Sequence, residues 1–106
     1  MIGIPDAVKA IGVGPSHTCA VTLEGAVKCW GNNLFGQLGN NTTMVSHLPV
    51  DVVGLSSGVV AVALGFDHTC AVFATGAVKC WGGNFYSQLG NGTTTQSLVP
   101  VDVIGL

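Results

Sequence analysis

His17-Thr-Cys-Ala-Val21, three further residues and Gly25-Ala-Val-Lys-Cys-Trp-Gly31 make up the stretch that decides the fold. The stretch recurs as His68-Thr-Cys-Ala-Val72 and Gly76-Ala-Val-Lys-Cys-Trp-Gly82, at an offset of 51 residues. Aligned without a gap, the two copies share 29 identities in 51 pairs. A tandem period of this length is typical of repeat architectures, in which each repeat is one small unit of secondary structure. We therefore predict two repeat units, residues 1–55 and residues 56–106.

Each repeat is predicted to form short strands and no helix. In the first repeat, Val8–Gly14 has the apolar, β-branched composition of a buried strand. His17–Thr22 and Ala26–Gly31 flank a three-residue loop ending in glycine, a common hairpin connection because glycine adopts the left-handed conformation without steric cost. After the turn-rich loop Asn32–Gly39, the segment from Pro49 predicts a last strand with proline at its first position. We expect an all-β chain with one four-stranded antiparallel β-propeller blade per repeat.

The order of these pieces carries a family resemblance. Gly-x-x-His-Thr-Cys-Ala-Val, Gly-Ala-Val-Lys-Cys-Trp-Gly, Gly-Gln-Leu-Gly and Pro-Val resemble the repeat of the regulator of chromosome condensation family, closest in style to its secreted bacterial members. The resemblance covers essentially the whole chain, but the second copy has Ser87 where the first has Gly36. It implies a β-propeller, usually of seven blades in this family. The residues of the repeat signature are His17, Trp30, Gln37, Gly39, His68, Trp81, Gln88 and Gly90.

Composition argues against several classes of partner. Apolar residues make up 48% of the chain and charged residues 8%, with a formal charge of -2. Three basic side chains cannot build the clustered basic face that phosphates require, so we expect neither a nucleic-acid partner nor attachment to an acidic membrane. The longest apolar run, Val59–Phe66, is too short to span a membrane, and the residues after Met1 predict no signal peptide.

The four cysteines are candidates for disulfides. The three-residue hairpin loop places Cys19 directly opposite Cys29, and the same register places Cys70 opposite Cys80, at a separation that a disulfide can bridge. Reduced, buried thiols are the first alternative, and zinc ligation is a weaker one because no close C-x-x-C element is present. Disulfides would indicate an oxidising compartment and a secreted or extracellular parent protein.

The repeated histidines and tryptophans favour structural roles. No carboxylate stands at a fixed short spacing to orient His17 or His68 for catalysis or metal binding, so we expect each ring to bond a backbone carbonyl at the entry to its strand. Trp30 and Trp81 are expected to fill the space between blades, with exposure as binding anchors the alternative. His47 has no counterpart in the second repeat and is expected to be a loop residue.

Aromatic residues inside the glycine-rich loops are candidates for a partner-binding surface. Loops on a rigid scaffold carry function disproportionately, and aromatic residues are favoured at interfaces. Packing within the loop is the alternative explanation for their aromatic character. The candidate residues are Asn33, Leu34, Phe35, Asn84, Phe85 and Tyr86.

Two blades would leave open strand edges and apolar faces at both ends, which is an aggregation hazard unless they are covered. We therefore predict that identical chains pair head to tail and close a ring. Exchange of the terminal strand 103–106 between neighbours is one way to make this contact. Because each chain has two blades, a closed ring has an even number of blades. Closure favours a tetramer slightly over a trimer. Met1-Ile-Gly-Ile4 resembles Val103-Ile-Gly-Leu106, which suits an excised or engineered fragment as well as a natural boundary.

The residues contain no nucleophile elbow, phosphate-binding loop, catalytic carboxylate pair or calcium loop, so we expect no enzyme and no cofactor or metal. The favoured hypothesis is a non-catalytic structural and protein-interaction module that self-assembles. The alternative is a segment of a secreted bacterial propeller that binds a protein or a glycan. The family resemblance also implies a third function, regulation of guanine-nucleotide exchange, which the absence of a basic patch disfavours.

Overall fold

The computed structural model describes residues 7–105, and these residues form two four-stranded antiparallel sheets. Strands follow one another in chain order within each sheet, and each sheet is built from one repeat. The predicted all-β fold with two four-stranded sheets is confirmed. The strands are β1 (Val8–Val13), β2 (His17–Thr22), β3 (Val27–Gly31), β4 (Ser46–Asp51), β5 (Val59–Leu64), β6 (His68–Phe73), β7 (Val78–Gly82) and β8 (Ser97–Asp102).

The central hairpin of each sheet has the predicted register. Cys19 lies opposite Cys29 in the β2–β3 pair, and Cys70 lies opposite Cys80 in the β6–β7 pair. Gly25, the last residue of the first hairpin loop, has a φ of 89°, in the region that only glycine adopts without strain. The loop chemistry therefore fixes which residues face each other across the hairpin.

The last strand of each sheet starts earlier than predicted. β4 begins at Ser46, so Pro49 lies inside the strand, and the prediction that proline opens it was wrong. His47 also lies inside β4, so the expectation that it is a loop residue was wrong too. The strand tolerates proline because β4 is at the edge of its sheet and the β3–β4 pairing is irregular between Cys29 and Gly31. The proline therefore marks an edge strand with a bulge rather than a strand start.

Residues that follow the last strand do not continue it. Ile104 and Gly105 form a turn, and the backbone N–H of Ile104 donates to the carbonyl of Gly90 in the same sheet at 2.8 Å. In a single chain the described part of segment 103–106 therefore packs against its own sheet, and exchange between neighbouring chains stays a prediction. The matching segment Met1-Ile-Gly-Ile4 lies outside the described residues.

The core lies between the two sheets, where β5 packs against β1 and β2. Its members are fully or almost fully buried, and they come from both repeats. Within residues 7–105, no helix is long and apolar enough to cross a membrane. The core residues are Cys19, Val21, Val27, Cys29, Leu38, Val52, Leu55, Val59, Ala71 and Trp81.

Candidate functional site

A hydrogen-bond network joins the two sheets at the centre of their contact. The backbone carbonyl of Gln37 accepts from the Thr69 hydroxyl at 2.7 Å and from the Trp81 indole Nε1 at 2.8 Å. Because the Thr69 hydroxyl donates its single hydrogen to Gln37, it accepts from His17 Nε2, which lies 2.7 Å away. All four residues are buried, so these bonds are shielded from water. We call this set the intersheet network.

The environment of His17 keeps its ring neutral at pH 7. The pKa of His17 is lowered to about 4, chiefly by burial and also by electrostatic interaction with His68, while the Asp67 carboxylate acts in the opposite direction. The expectation that the ring would bond a backbone carbonyl was wrong, because its partner is the Thr69 hydroxyl of the other repeat. His17 therefore connects the repeats rather than only fixing the entry of its own strand.

Gly39 of the repeat signature allows the indole of Trp81 to approach the Gln37 loop. A Cβ at Gly39 would lie 2.6 Å from Trp81 Nε1, closer than real side chains come, and the φ of 70° also favours glycine. The glycine in Gln-Leu-Gly is thus required by the contact between sheets and not only by its own turn.

The side of each sheet that faces away from the other sheet carries the equivalent groups, and within residues 7–105 these groups have no counterpart of the intersheet network. On the first sheet Thr18 and Trp30 correspond to Thr69 and Trp81, but they are only partly buried. On the second sheet His68, Val72 and Gln88 correspond to His17, Val21 and Gln37, and they too are only partly buried. We call the side with Thr18 and Trp30 the first outer face, and the side with His68, Val72 and Gln88 the second outer face.

Both predicted disulfides are present. Cys19 is bonded to Cys29 and Cys70 to Cys80, with Cα atoms 4.1 and 4.0 Å apart, as expected for directly opposed residues. The Cys19–Cys29 bond lies in the core between the sheets, whereas the equivalent bond in the second sheet is on the second outer face. The alternatives of reduced thiols and of a zinc site do not apply to this structure.

Two of the candidate partner-binding residues are structural. The amide oxygen of Asn33 accepts from the backbone N–H of Leu38 at 2.9 Å, and its nitrogen donates to the carbonyls of Thr42 at 2.9 Å and Met44 at 3.1 Å. Asn84 makes the same set of bonds in the second repeat. Both side chains are buried, so the main role of Asn33 and Asn84 is to shape the loops.

The other four candidate residues are exposed at the tips of these loops. Leu34, Phe85 and Tyr86 are largely accessible, at 65%, 76% and 82%, and Phe35 at 38%. The Phe85 and Tyr86 rings meet edge to face, with centroids 5.0 Å apart. Together with Phe35 of the first repeat, they border a cleft of about 270 Å³ at the junction of the repeats. This junction cleft is also lined by Asp67, Gly83, Thr94 and Gln96.

Asp67 was not identified from the sequence alone. The feature that could have revealed it is that two positions, those of Asp67 and Gly83, differ together between the repeats. The first repeat has Ser16 and Asn32 at the positions of Asp67 and Gly83. A Cβ at Gly83 would lie 2.7 Å from the carboxyl carbon of Asp67, so the glycine makes room for that side chain. In the first repeat the Ser16 hydroxyl instead donates to the carbonyl of Phe66 at 3.0 Å.

Comparison with known proteins identifies the repeat. Residues 8–37 and 59–88 match one description of the regulator of chromosome condensation (RCC1) repeat, and residues 24–72 and 75–106 match a second. The chain belongs to the RCC1 repeat family. These matches confirm the family resemblance that the sequence showed.

Similar proteins are much longer than this chain. The chain is 42% identical over 94 residues to the ultraviolet-B receptor UVR8 of Arabidopsis thaliana, covering 88% of this chain and 21% of the receptor. It is 36% identical over 107 residues to the human probable E3 ubiquitin-protein ligase HERC4, covering all of this chain and 10% of the ligase. The chain thus spans about a fifth or less of the length of these relatives.

Solved structures confirm the propeller architecture. Human WBSCR16 superposes with a TM-score of 0.87 at 29% identity, covering 97% of this chain and 27% of that one. Prp20p from Saccharomyces cerevisiae superposes with a TM-score of 0.83 at 18% identity, covering 99% of this chain and 27% of that one, which shows the fold alone. The two sheets are therefore two blades of an RCC1-type β-propeller.

The second RCC1 repeat has Ser87 where the first has Gly36, and changing this serine to glycine is predicted to stabilise the chain. Ser87 has a φ of 62°, a left-handed conformation that costs a residue with a Cβ more than it costs glycine. Ser87→Gly should raise the free energy of unfolding by about 0.5–1 kcal/mol, measured by urea denaturation. The matched change Gly36→Ser should lower it, because its Cβ would lie 3.0 Å from the Cα of Leu98. A Ser87→Gly chain no more stable than the original would contradict this account.

Proposed function

We propose that this chain is a non-catalytic protein-interaction module, a pair of RCC1 blades whose outer faces bind further copies of the same chain head to tail. The observation that carries the proposal is the complementarity of the two outer faces. Each outer face carries one half of the contact that the structure makes between its own two blades.

The groups on the outer faces match one by one. In the intersheet network, the second blade supplies the Trp81 indole and the Thr69 hydroxyl, and the first blade supplies the Gln37 carbonyl. The first outer face offers Trp30 and Thr18 as equivalent donors, and the second outer face offers the backbone carbonyl of Gln88. A copy placed beside the chain as its second blade is placed beside its first would satisfy these groups and bury both faces.

Apolar burial favours the same arrangement. Val21 and the Cys19–Cys29 disulfide are fully buried between the blades, whereas their counterparts Val72 and Cys70 are partly exposed on the second outer face. Covering apolar area of this kind contributes about 25 cal/mol per Å². Seating a second copy would therefore add hydrophobic stabilisation to the hydrogen bonds.

Head-to-tail pairing uses two different faces, so it closes into a ring or extends as a filament. With two blades per chain, three chains would give six blades and four chains would give eight. The turn from blade to blade is about 51° in a ring of seven, about 45° in a ring of eight and about 60° in a ring of six. A tetramer is therefore favoured slightly over a trimer.

The two disulfides support an extracellular or otherwise oxidising location for the parent protein, since such bonds persist where thiols are not kept reduced.

The formal charge of -2 supports a protein partner rather than a nucleic acid. HERC4 is described as a probable ubiquitin-protein ligase, but this chain corresponds to 10% of it, and we assign no ligase activity to the two blades.

Two variants, each with one outer face blocked by a charge, test head-to-tail pairing. Thr18→Arg places a charge on the first outer face, and Val72→Arg places one on the second, at partly exposed positions where the single chain tolerates it. Each variant alone should sediment as a monomer in analytical ultracentrifugation. An equimolar mixture should form a heterodimer and no larger species. The Thr18→Arg chain keeps its second outer face and the Val72→Arg chain keeps its first, so only one productive contact can form. A mixture that stays monomeric would contradict head-to-tail pairing, as would dimers of either variant alone.

A further inference from the structure

We propose that the junction cleft binds an arginine side chain of a protein partner. The proposal rests on the chain being a protein-interaction module, but it does not depend on head-to-tail assembly. The cleft is built by the contact of the two blades within one chain, since Phe35 comes from the first blade and the rest of its lining from the second.

The aromatic rings supply the wall of the site. Phe85 and Tyr86 are exposed at a loop tip that Asn84 holds in place from below, so their accessibility is not the result of a loose loop. Aromatic faces attract a cation placed over them, and guanidinium groups make this contact more often than ammonium groups do. Because the Phe85 and Tyr86 rings meet edge to face, their faces point in different directions. A flat group that enters the cleft, which Phe35 also lines, could therefore stack on a ring face.

Asp67 supplies the charge of the site. Its side chain is 30% exposed in the cleft, and the Gln88 amide holds one carboxylate oxygen at 3.3 Å, which leaves further lone pairs for a ligand. Asp51 and Asp102 are paired with Lys28 and Lys79 on their own blades. Asp67, in contrast, has no lysine partner within residues 7–105. Its basic neighbour is the His68 imidazole, whose Nδ1 lies 3.7 Å from Oδ1, the oxygen that Gln88 also contacts. Among the described residues no side chain bonds the second carboxylate oxygen, so a cation from outside would complement it.

The mixture of flat rings, one carboxylate and neutral polar groups favours arginine over lysine. A guanidinium presents five donors in a plane, so it can stack on a ring while it bonds a carboxylate along its edge. Thr94 and Gln96 also line the cleft, and their side chains carry a hydroxyl and an amide oxygen that can accept from the remaining donors. An ammonium group is compact and strongly hydrated, and it would use the rings less well.

The site occurs once per chain. At the positions of Asp67, Gly83 and Phe85 the first repeat has Ser16, Asn32 and Leu34, so a junction between two chains would lack the carboxylate and one ring. The expected stoichiometry is therefore one arginine side chain per chain, whether the chain is a monomer or part of a ring.

The test is an NMR titration of the full chain with N-acetyl-arginine methylamide. Saturable shifts of the backbone amides of Phe85 and Tyr86 are expected. The citrulline analogue, which has the same shape without the charge, should bind at least about tenfold more weakly, and the lysine analogue should also bind more weakly than arginine. Equal binding of citrulline would overturn the recognition of a cation, and equal binding of lysine would overturn the assignment to arginine.

Variants with matched controls locate the site. Asp67→Asn and Tyr86→Ala should each weaken arginine binding at least about fivefold. Asp51→Asn removes an exposed carboxylate outside the cleft, and Leu34→Ala shortens the first-repeat counterpart of Phe85, so neither should change it. Loss of binding in the controls, or unchanged binding in both site variants, would contradict the proposal. The Thr18→Arg chain should still bind arginine, which separates a failure of assembly from a failure of this site.

Discussion

Trp81→Ala is expected to lower the free energy of unfolding by about 3–5 kcal/mol, the range for removing a fully buried large aromatic side chain. The side chain of Trp81 is completely inaccessible and lies in the core between the blades. Truncation opens a cavity there and removes the indole bond to the Gln37 carbonyl. The blades would then lose the largest side chain of their shared core.

Trp30→Ala is the matched control for this prediction, because Trp30 occupies the same position in the first blade and is only partly buried. Both changes should be made in the Val72→Arg background, which keeps the chains apart in the proposed assembly. Urea denaturation followed by intrinsic fluorescence and by circular dichroism gives the two free energies. Trp30→Ala should cost about 1–2 kcal/mol there, in proportion to its smaller burial. Equal losses for the two tryptophans would contradict the assignment of Trp81 to the contact between blades.

Removal of the Cys19–Cys29 disulfide is expected to have the second largest effect. The two cysteines are separated by 10 residues in sequence, and closing a loop of this size is worth about 3 kcal/mol in the chain-entropy description. The bond also lies within the core, so Cys19→Ala with Cys29→Ala leaves a gap between the blades. We expect a loss of about 3–4 kcal/mol, measured by urea denaturation without reductant.

The Cys70–Cys80 disulfide provides the comparison, since it closes a loop of the same length on the partly exposed second outer face. Its removal should cost less than removal of Cys19–Cys29, because Cys70 is partly exposed in a single chain and only Cys80 is buried, so the gap left behind is smaller. The Val72→Arg background again keeps that face uncovered. If the Cys70–Cys80 pair proved the more important of the two, the placement of the first bond in the core would be contradicted.

Sequence alone predicted the features that depend on local chemistry. The loop ending in Gly25 fixed the hairpin register, and the register placed Cys19 opposite Cys29. Four strands per repeat followed from alternating turn and β-branched segments. These predictions succeeded because turn geometry and strand pairing act over a few residues.

The features that sequence did not predict depend on contacts between repeats or on pairing over longer distances. The partner of His17 is Thr69, more than 50 positions away, and periodicity cannot indicate such a contact. The start of β4 before Pro49 depends on a bulge against β3. Asp67 stood out only once the structure showed its carboxylate above Gly83, although the paired change from Ser16 and Asn32 was visible in the alignment of the repeats.

The most direct test of the proposed assembly is the mass of the chain in solution, measured by light scattering after size exclusion without reductant. The chain has a mass of 10.7 kDa. Our account predicts one sharp species whose mass corresponds to a closed ring, with four chains favoured over three. A species of a single chain across the concentration range would show that the outer faces stay uncovered, and it would contradict head-to-tail assembly.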